Sequence, residues 1–142
     1  MTSGDLGTFS VKDLDVIAGV YPITGFDDDM IRVSQNEDIS SSKQGASGEV
    51  CRILRVKPLR TITLSIMQTS ISNDYLSILL NIDRKLNKTV PFTVLDRSGR
   101  TVMEAPYSWV MKFADFDFGG EHKVREWTLE AVVGFINIGG NN

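Results

Sequence analysis

Residues 61–86, TITLSIMQTSISNDYLSILLNIDRKL, contain the change of hydrophobic period that decides the fold. From Thr61 to Ile66 polar and apolar side chains alternate, which predicts a strand with one buried face. After Ser70 the apolar residues recur at spacings of three and four, which gathers them on one side of a helix. The stretch therefore predicts a strand followed by an amphipathic helix over about residues 73–86.

Polar residues at both ends support these helix limits. Ser72 is the predicted N-cap, because its hydroxyl can accept a backbone N–H that has no partner within the helix. Asp74 places negative charge near the positive end of the helix, and Arg84 and Lys85 lie near its negative end. No other segment gives a convincing helical pattern, so we expect this single helix to close one side of a β core.

Alternating segments bounded by turn residues predict about seven strands in all. Besides the strand that begins at Thr61, they cover residues 16–23, 30–35, 49–56, 91–95, 101–112 and 124–135. Pro106 predicts a break or bulge on an edge strand, because proline cannot donate to a sheet ladder. A single helix leaves little means of making parallel crossovers. The predicted fold is therefore mainly β, an antiparallel β-sandwich or half-barrel with one flanking α-helix.

Length and composition predict a single domain over residues 1–142, with a loose tail at 1–10 and a frayed end at 139–142. The chain carries 18 acidic and 15 basic residues, a net charge of −3, which is a poor balance for binding a phosphate backbone. No apolar run approaches the roughly 20 residues that span a bilayer. The N-terminus lacks the basic and apolar blocks of a secretory signal, so neither a membrane protein nor a secreted one is expected.

Residues that could carry chemistry are isolated from one another in the sequence. His122 is the only histidine and is interpreted as a solvated loop residue, and Cys51 is the only cysteine and is interpreted as a packing residue. Asp27, Asp28 and Asp29 form a dense acidic cluster without the spacing of an EF-hand, which indicates a solvated turn. We predict no catalytic residue, no cofactor and no metal site, and therefore no enzyme. Trp109 and Trp127 lie on predicted strands and are interpreted as core residues.

Residues 36–48, NEDISSSKQGASG, interrupt the strand pattern. Ile39 is the one apolar side chain larger than alanine in this segment. Such a composition predicts a long flexible loop, and loops of this length are usually functional or disordered.

Several short motifs occur in a characteristic order. They are residues 21–26 (YPITGF), 45–50 (GASGEV), 68–70 with 72–74 and Leu76, 91–92 with Asp96 and Gly99, and 125–127 (REW). In this order and spacing, over about residues 9–133, the chain resembles the tail tube proteins of contractile-tailed bacteriophages. Ser47 stands where the family pattern has an acidic residue.

The resemblance implies a structural virion protein that self-assembles into hexameric rings, which stack into the inner tail tube that conducts phage DNA. It implies sheath and baseplate proteins as further partners, no cofactor, no membrane, and DNA that passes through the bore without specific binding. The expected location is the virion tail, with assembly in the host cytoplasm. Tubes of phage-tail-like bacteriocins and type VI secretion share the fold, so the sequence leaves the choice between these machines open.

Two sets of residues are expected to serve such a tube. The predicted inter-ring loop offers Asn36, Glu37, Asp38, Lys43 and Glu49. A bore that lets DNA slide should be neutral or acidic, because clustered cations bind phosphates. The lumen-facing candidates are Thr61, Thr63, Ser65, Glu126, Thr128 and Glu130. An ordinary solvated sheet face is the alternative interpretation of these six residues.

A second function remains open from the sequence. The chain could be a ligand-binding β-sandwich module of a phage tail or secretion apparatus, with aromatic or acidic loops that hold a sugar or calcium. Self-assembly discriminates between the two, because a tube protein should form rings or tubes, whereas a binding module should stay monomeric and melt at a higher temperature with its ligand.

Overall fold

The computed structural model describes residues 14–55, 59–97 and 99–140, apart from the side chains of Asp28 and Asp29. The loose tail predicted for residues 1–10 and the end at Asn141 and Asn142 lie outside the described residues. The elements are β1 (Leu14–Ala18), β2 (Tyr21–Pro22), β3 (Phe26–Gln35), β4 (Ser40–Gln44), β5 (Val50–Leu54), β6 (Leu59–Met67), α1 (Ser72–Leu86), β7 (Val90–Asp96), β8 (Val102–Lys112), β9 (Val124–Val132) and β10 (Phe135–Asn137).

Eight of the strands form one curled antiparallel sheet. Its order is β2-β1-β7-β8-β9-β6-β3, and β10 pairs with β8 beside the end of β9. Strands β4 and β5 form a separate two-stranded sheet. The prediction of a mainly β, antiparallel half-barrel with one flanking helix is confirmed.

Helix α1 covers the inner face of the sheet. Leu76 is fully buried and Leu80 nearly so in the hydrophobic core, and β8 is the strand that lies closest to the helix. The helix begins at Ser72, one residue before the predicted start, and ends at Leu86 as predicted. Asn87 ends it in the left-handed conformation (φ 53°), with its N–H donated to the Asp83 carbonyl at 2.7 Å.

The start of the helix differs from the prediction in one respect. Ile71 occupies the N-cap position without a side-chain hydrogen bond, and Ser72 is the first helical residue. The Ser72 hydroxyl instead accepts the N–H of Thr24 at 3.0 Å, and the Ser72 N–H donates to Oγ of Ser70 at 3.1 Å. The Ser72 hydroxyl, which the sequence pattern predicted as the helix cap, is therefore bonded to Thr24, 48 residues away in sequence.

Two segments near the N-terminus also differ from the sequence prediction. Residues 16–23 form a hairpin of β1 and β2 rather than one strand, because Gly19 (φ 67°) reverses the chain. Residues 27–29 belong to β3 rather than to a turn. The register of β3 against β6 shifts between Phe26 and Ile31, and Met30 adopts a positive φ of 46° within that irregular stretch.

Strand β8 contains the predicted bulge but is not at an edge. It lies between β7 on one side and β9 and β10 on the other. Against β7 its register gains one residue between Ala105 and Ser108, the stretch that contains Pro106. On the other side β9 ends at Val132 and β10 begins at Phe135. The proline is accommodated in a central strand because the ladders on both sides are interrupted there.

Candidate assembly surfaces

The motifs at residues 21–26, 68–74 and 125–127 meet where α1 joins the sheet. Trp127 Nε1 donates to Asn73 Oδ1 at 2.9 Å, and both side chains are buried. Asn73 Nδ2 in turn donates to the carbonyls of Met67 at 2.9 Å and Ser70 at 3.0 Å. The Asn73 amide thus links β9, the end of β6 and the first turn of α1. Trp127 is the core residue that the sequence predicted.

Gly25 completes the same junction. The Ser70 hydroxyl donates to the Thr24 carbonyl at 2.8 Å, and the Met67 N–H donates to the Gly25 carbonyl at 2.8 Å. Gly25 has a φ of 75°, and a Cβ there would lie 2.6 Å from Cβ of Ser70. The motifs at residues 21–26, 68–74 and 125–127 therefore hold the helix against the sheet, which is a structural task.

The six lumen-facing candidates form a single surface, which we call the polar face. Strand β6 pairs with β9 so that each candidate stands opposite another, on the side of the sheet that faces away from α1. The pairs are Thr61 with Glu130, Thr63 with Thr128, and Ser65 with Glu126. The sequence predicted the polar side of each strand, but the adjacency of the two strands comes from the tertiary pairing.

Cations on neighbouring strands offset part of the negative charge of the polar face. Arg32 of β3 stands opposite Thr63 and shares a shallow groove with Ser65 and Glu126. Lys112 of β8 stands opposite Thr128 on the other side. Asp115 lines the same depression as Lys112, Glu126 and Thr128, so three carboxylates face two cations and the surface is slightly acidic.

Two further residues belong to this surface unexpectedly. Asn36, predicted in the inter-ring loop, donates from Nδ2 to Glu130 Oε2 at 3.3 Å and accepts the Thr61 hydroxyl at 2.6 Å. Trp109, predicted in the core, stands opposite Glu130 and is only half-buried. Its indole thus lies at the border between the polar face and the rest of the outer sheet surface.

Five of the thirteen residues of the predicted loop at 36–48 form a strand. Ser40–Gln44 pairs with Val50–Leu54 in register, which makes residues 40–54 a β-hairpin that we call the arm. All five residues of β4 are polar, so its sequence shows no alternation of polar and apolar side chains. The strand forms because β5 supplies the partner ladder. Gly48, with a φ of 89°, lies in the turn at the tip.

The base of the arm is fixed by Arg55. Its Nε lies 2.7 Å from Oε2 of Glu37, and its Nη1 donates to the Asp38 carbonyl at 3.0 Å. Its backbone N–H donates to the Ile39 carbonyl at 2.7 Å. Of the predicted inter-ring residues, Glu37 and Asp38 therefore hold the base. Lys43 lies on β4 and Glu49 at the tip turn.

The arm exposes apolar side chains on both of its faces. Val50 is 69% exposed, Leu54 56% and Ile53 51%, and Cys51 beside them is exposed rather than packed. Within the described part of the chain, β4 and β5 pair only with each other. An isolated two-stranded hairpin is marginally stable in water. The arm therefore presents apolar side chains that no other described element of the chain covers.

Two other exposed apolar surfaces lie away from the arm. One is the outer stripe of α1, formed by Ile71, Ile78, Ile82 and Leu86. The other is the segment after β8, where the Phe116 and Phe118 rings pack 6.0 Å apart and the Arg125 guanidinium lies 5.8 Å from the Phe118 ring.

Among the described residues, no three His, Cys, Asp or Glu side chains gather as they would around a metal ion. In the same part of the chain, no helix is both long and apolar enough to cross a membrane.

No protein-family model matches the chain. The "Structural protein ORF10" of Pseudomonas phage KPP10 is 26% identical over 125 residues, which cover 85% of this chain and 72% of that protein. This chain is similar to a phage structural protein.

Solved structures of contractile injection systems share the fold. The tube-terminating cap of the anti-feeding prophage superposes with a TM-score of 0.55 at 14% identity, over 88% of this chain and 87% of that one. The sheath/tube terminator of the PVC extracellular contractile injection system gives 0.52 at 15% identity, over 87% and 92%. A chain of the PVC sheath–tube complex gives 0.54 at 12% identity, with both chains covered in full.

Proposed function

We propose that this chain is a structural subunit of a contractile tail or related injection machine, and that its copies form hexameric rings that stack into a DNA-conducting tube. The observation that carries the proposal is the arm. A hairpin with exposed apolar residues on both faces has no evident use in a monomer, whereas it would be covered in a stack of rings. The likeness to a phage structural protein supports the same assignment.

Burial of the arm would supply free energy for stacking. Covering an exposed Val, Ile or Leu side chain contributes about 1.5–3 kcal/mol when burial is complete. Val50, Ile53 and Leu54 are each more than half exposed, so each retains a large part of that contribution for a contact between molecules. Repeated around a ring, several such contacts would hold successive rings together.

The polar face suits the wall of a bore. Its acidic side chains outnumber its basic ones, so it offers none of the clustered positive charge that binds phosphates by counterion release. We assign Thr61, Thr63, Ser65, Glu126, Thr128 and Glu130 to the lumen on this basis. Sheath and baseplate proteins are the expected partners outside the tube.

Electron microscopy of the purified, concentrated protein tests the proposal. The wild-type chain should form rings or tubes. A variant in which an Asn-Gly turn replaces residues 40–54 should not form long tubes, and its subunit should remain folded, because Ile39 and Arg55 already lie within hydrogen-bond distance. Failure of the wild-type chain to assemble would contradict the proposed function. If the shortened variant still formed normal tubes, the arm would not be the element that stacks the rings.

A terminating role is the second candidate, because two structures with the same fold cap or terminate a tube. A tube subunit should give assemblies that lengthen as the protein concentration rises. A terminator should give single rings, and it should shorten the tubes of a companion protein when the two are mixed.

A further inference from the structure

We infer that the arm of one copy docks in a groove on the outer sheet face of a second copy, with Arg52 of the arm paired to Glu104 of the groove. This inference rests on the proposed stacking of subunits through the arm. It names the surface that receives the arm and the charge pair that fixes its register.

The receiving surface, which we call the Glu104 groove, lies on the half of the outer sheet face away from the polar face. It is formed by β7, β8 and β10 and encloses about 320 Å³. Its lining includes Pro91, Thr93, Glu104, Pro106, Gly134 and Phe135. Phe135 is 56% exposed, and Tyr107 is similarly exposed nearby on β8. The groove is thus mainly apolar around one carboxylate.

Glu104 is an unmatched charge in the lining of this groove. Strand register places it opposite Thr93 of β7 on one side and Phe135 of β10 on the other. Over residues 14–55, 59–97 and 99–140, its carboxylate makes no ion pair or hydrogen bond. Along β8, Val102 precedes it by two residues and Pro106 follows it by two, so both lie on the same side of the sheet as Glu104.

The arm carries the complementary pattern on β5. Val50, Arg52 and Leu54 alternate with the other side chains of the strand and therefore share one face of the arm. Arg52 donates from Nε to the Ser40 hydroxyl at 3.0 Å and has no carboxylate partner in the described part of the chain. Its two terminal nitrogens remain available for a bidentate pair with a carboxylate.

The two surfaces match in spacing as well as in charge. On β5, Val50 and Leu54 lie two residues before and after Arg52. On β8, Val102 and Pro106 lie two residues before and after Glu104. Two residues of a strand span about 6.6 Å, since a strand rises about 3.3 Å per residue. The signs are opposite, so the register that pairs Arg52 with Glu104 also covers the apolar neighbours of both. Lys43, the other cation of the arm's strands, lies on the opposite face with Cys51 and serves as a matched control.

Charge exchange tests the pairing. We expect Arg52→Glu and Glu104→Arg each to lower the fraction of protein that sediments as tubes by about tenfold, the effect of roughly 1.4 kcal/mol per contact. The double variant Arg52→Glu/Glu104→Arg should recover most of that loss. The control double variant Lys43→Glu/Glu104→Arg should not recover it. Urea unfolding of each subunit should change little, because Arg52 and Glu104 are both exposed.

Cross-linking gives a second readout that does not require long tubes. In a Cys51→Ser background, Arg52→Cys combined with Glu104→Cys should oxidise to a ladder of covalent multimers, whereas either single cysteine should stop at dimers. Two results would overturn the pairing but not the proposed function. In the first, neither Arg52→Glu nor Glu104→Arg alone changes the amount of tubes. In the second, the double charge reversal fails to recover assembly and the double-cysteine protein gives no ladder. If the wild-type chain forms no rings or tubes, that result contradicts the proposed function and also the inference that rests on it.

Discussion

Trp127 Nε1 donates a 2.9 Å hydrogen bond to Oδ1 of Asn73, and this bond joins β9 to the first turn of α1. Trp127 is 3% exposed and Asn73 is 8% exposed, so water cannot readily replace either partner. The Asn73 amide also donates to two backbone carbonyls at the end of β6 and in the turn that follows it. The attachment of the helix therefore depends on a polar group at a buried position.

We expect Asn73→Ala to lower the free energy of unfolding by about 1–3 kcal/mol, because it leaves the buried Trp127 N–H without an acceptor. Urea unfolding of the subunit measures the change. Asn81→Ala, on the exposed side of the same helix, is the control and should stay within about 0.5 kcal/mol of wild type. Equal effects at the two positions would show that the buried amide is not important to stability.

Gly25→Ala should destabilise the subunit more than Gly48→Ala. Both glycines have positive φ, so both changes add backbone strain of about 1–2 kcal/mol. Only at Gly25 would the new Cβ also meet another side chain, that of Ser70, whereas nothing lies within 4 Å at Gly48. A comparison of the two melting curves isolates the steric cost. Matching curves would argue against the close approach of Gly25 to α1.

Because of Tyr75, we expect the free energy of unfolding of the subunit to fall in alkaline solution. Its hydroxyl donates to the Ala18 carbonyl at 2.8 Å, and burial, with a smaller contribution from Tyr21, raises its pKa above 10.0. The unfolded chain therefore ionises first as pH rises past 10, so stability present below that pH is lost as pH approaches the folded-state pKa. Unfolding free energies between pH 8 and 11 should fall less steeply for Tyr75→Phe than for wild type.

Replacing Glu126 and Glu130 with Lys should permit tube assembly but slow or block DNA passage. The double change converts a slightly acidic face, with Arg32 and Lys112 beside three carboxylates, into one with four positive charges and one negative charge. Phosphates would then adhere to the bore, and the delay should shrink as salt is raised. Ejection kinetics at two salt concentrations measure the effect. Glu121→Lys, outside the polar face, is the control.

Two results would contradict the prediction that Glu126 and Glu130 face the bore. The first is a structure of an assembled tube in which both side chains lie on its outer wall. The second is ejection that is unaffected by the double change, even if tubes form normally.

Sequence periodicity by itself determined the parts of the fold that depend on which side of an element is buried. The alternation from Thr61 to Ile66 and the three- and four-residue spacing after Ser70 located β6 and placed α1 within one residue of its limits. The same alternation separated the polar side of β9 from its buried side. Local patterns suffice there because each element contributes one apolar face to a common core.

Pairing between distant segments decided the rest. Polar β4 is a strand because β5 lies beside it, and Pro106 lies in a central strand because neighbouring ladders are interrupted at its position. Likewise, Ser72 accepts a bond from Thr24 rather than capping its helix. The sequence could not show these outcomes, because a backbone hydrogen bond depends on the position of its partner and leaves no periodic signal in the side chains of either strand.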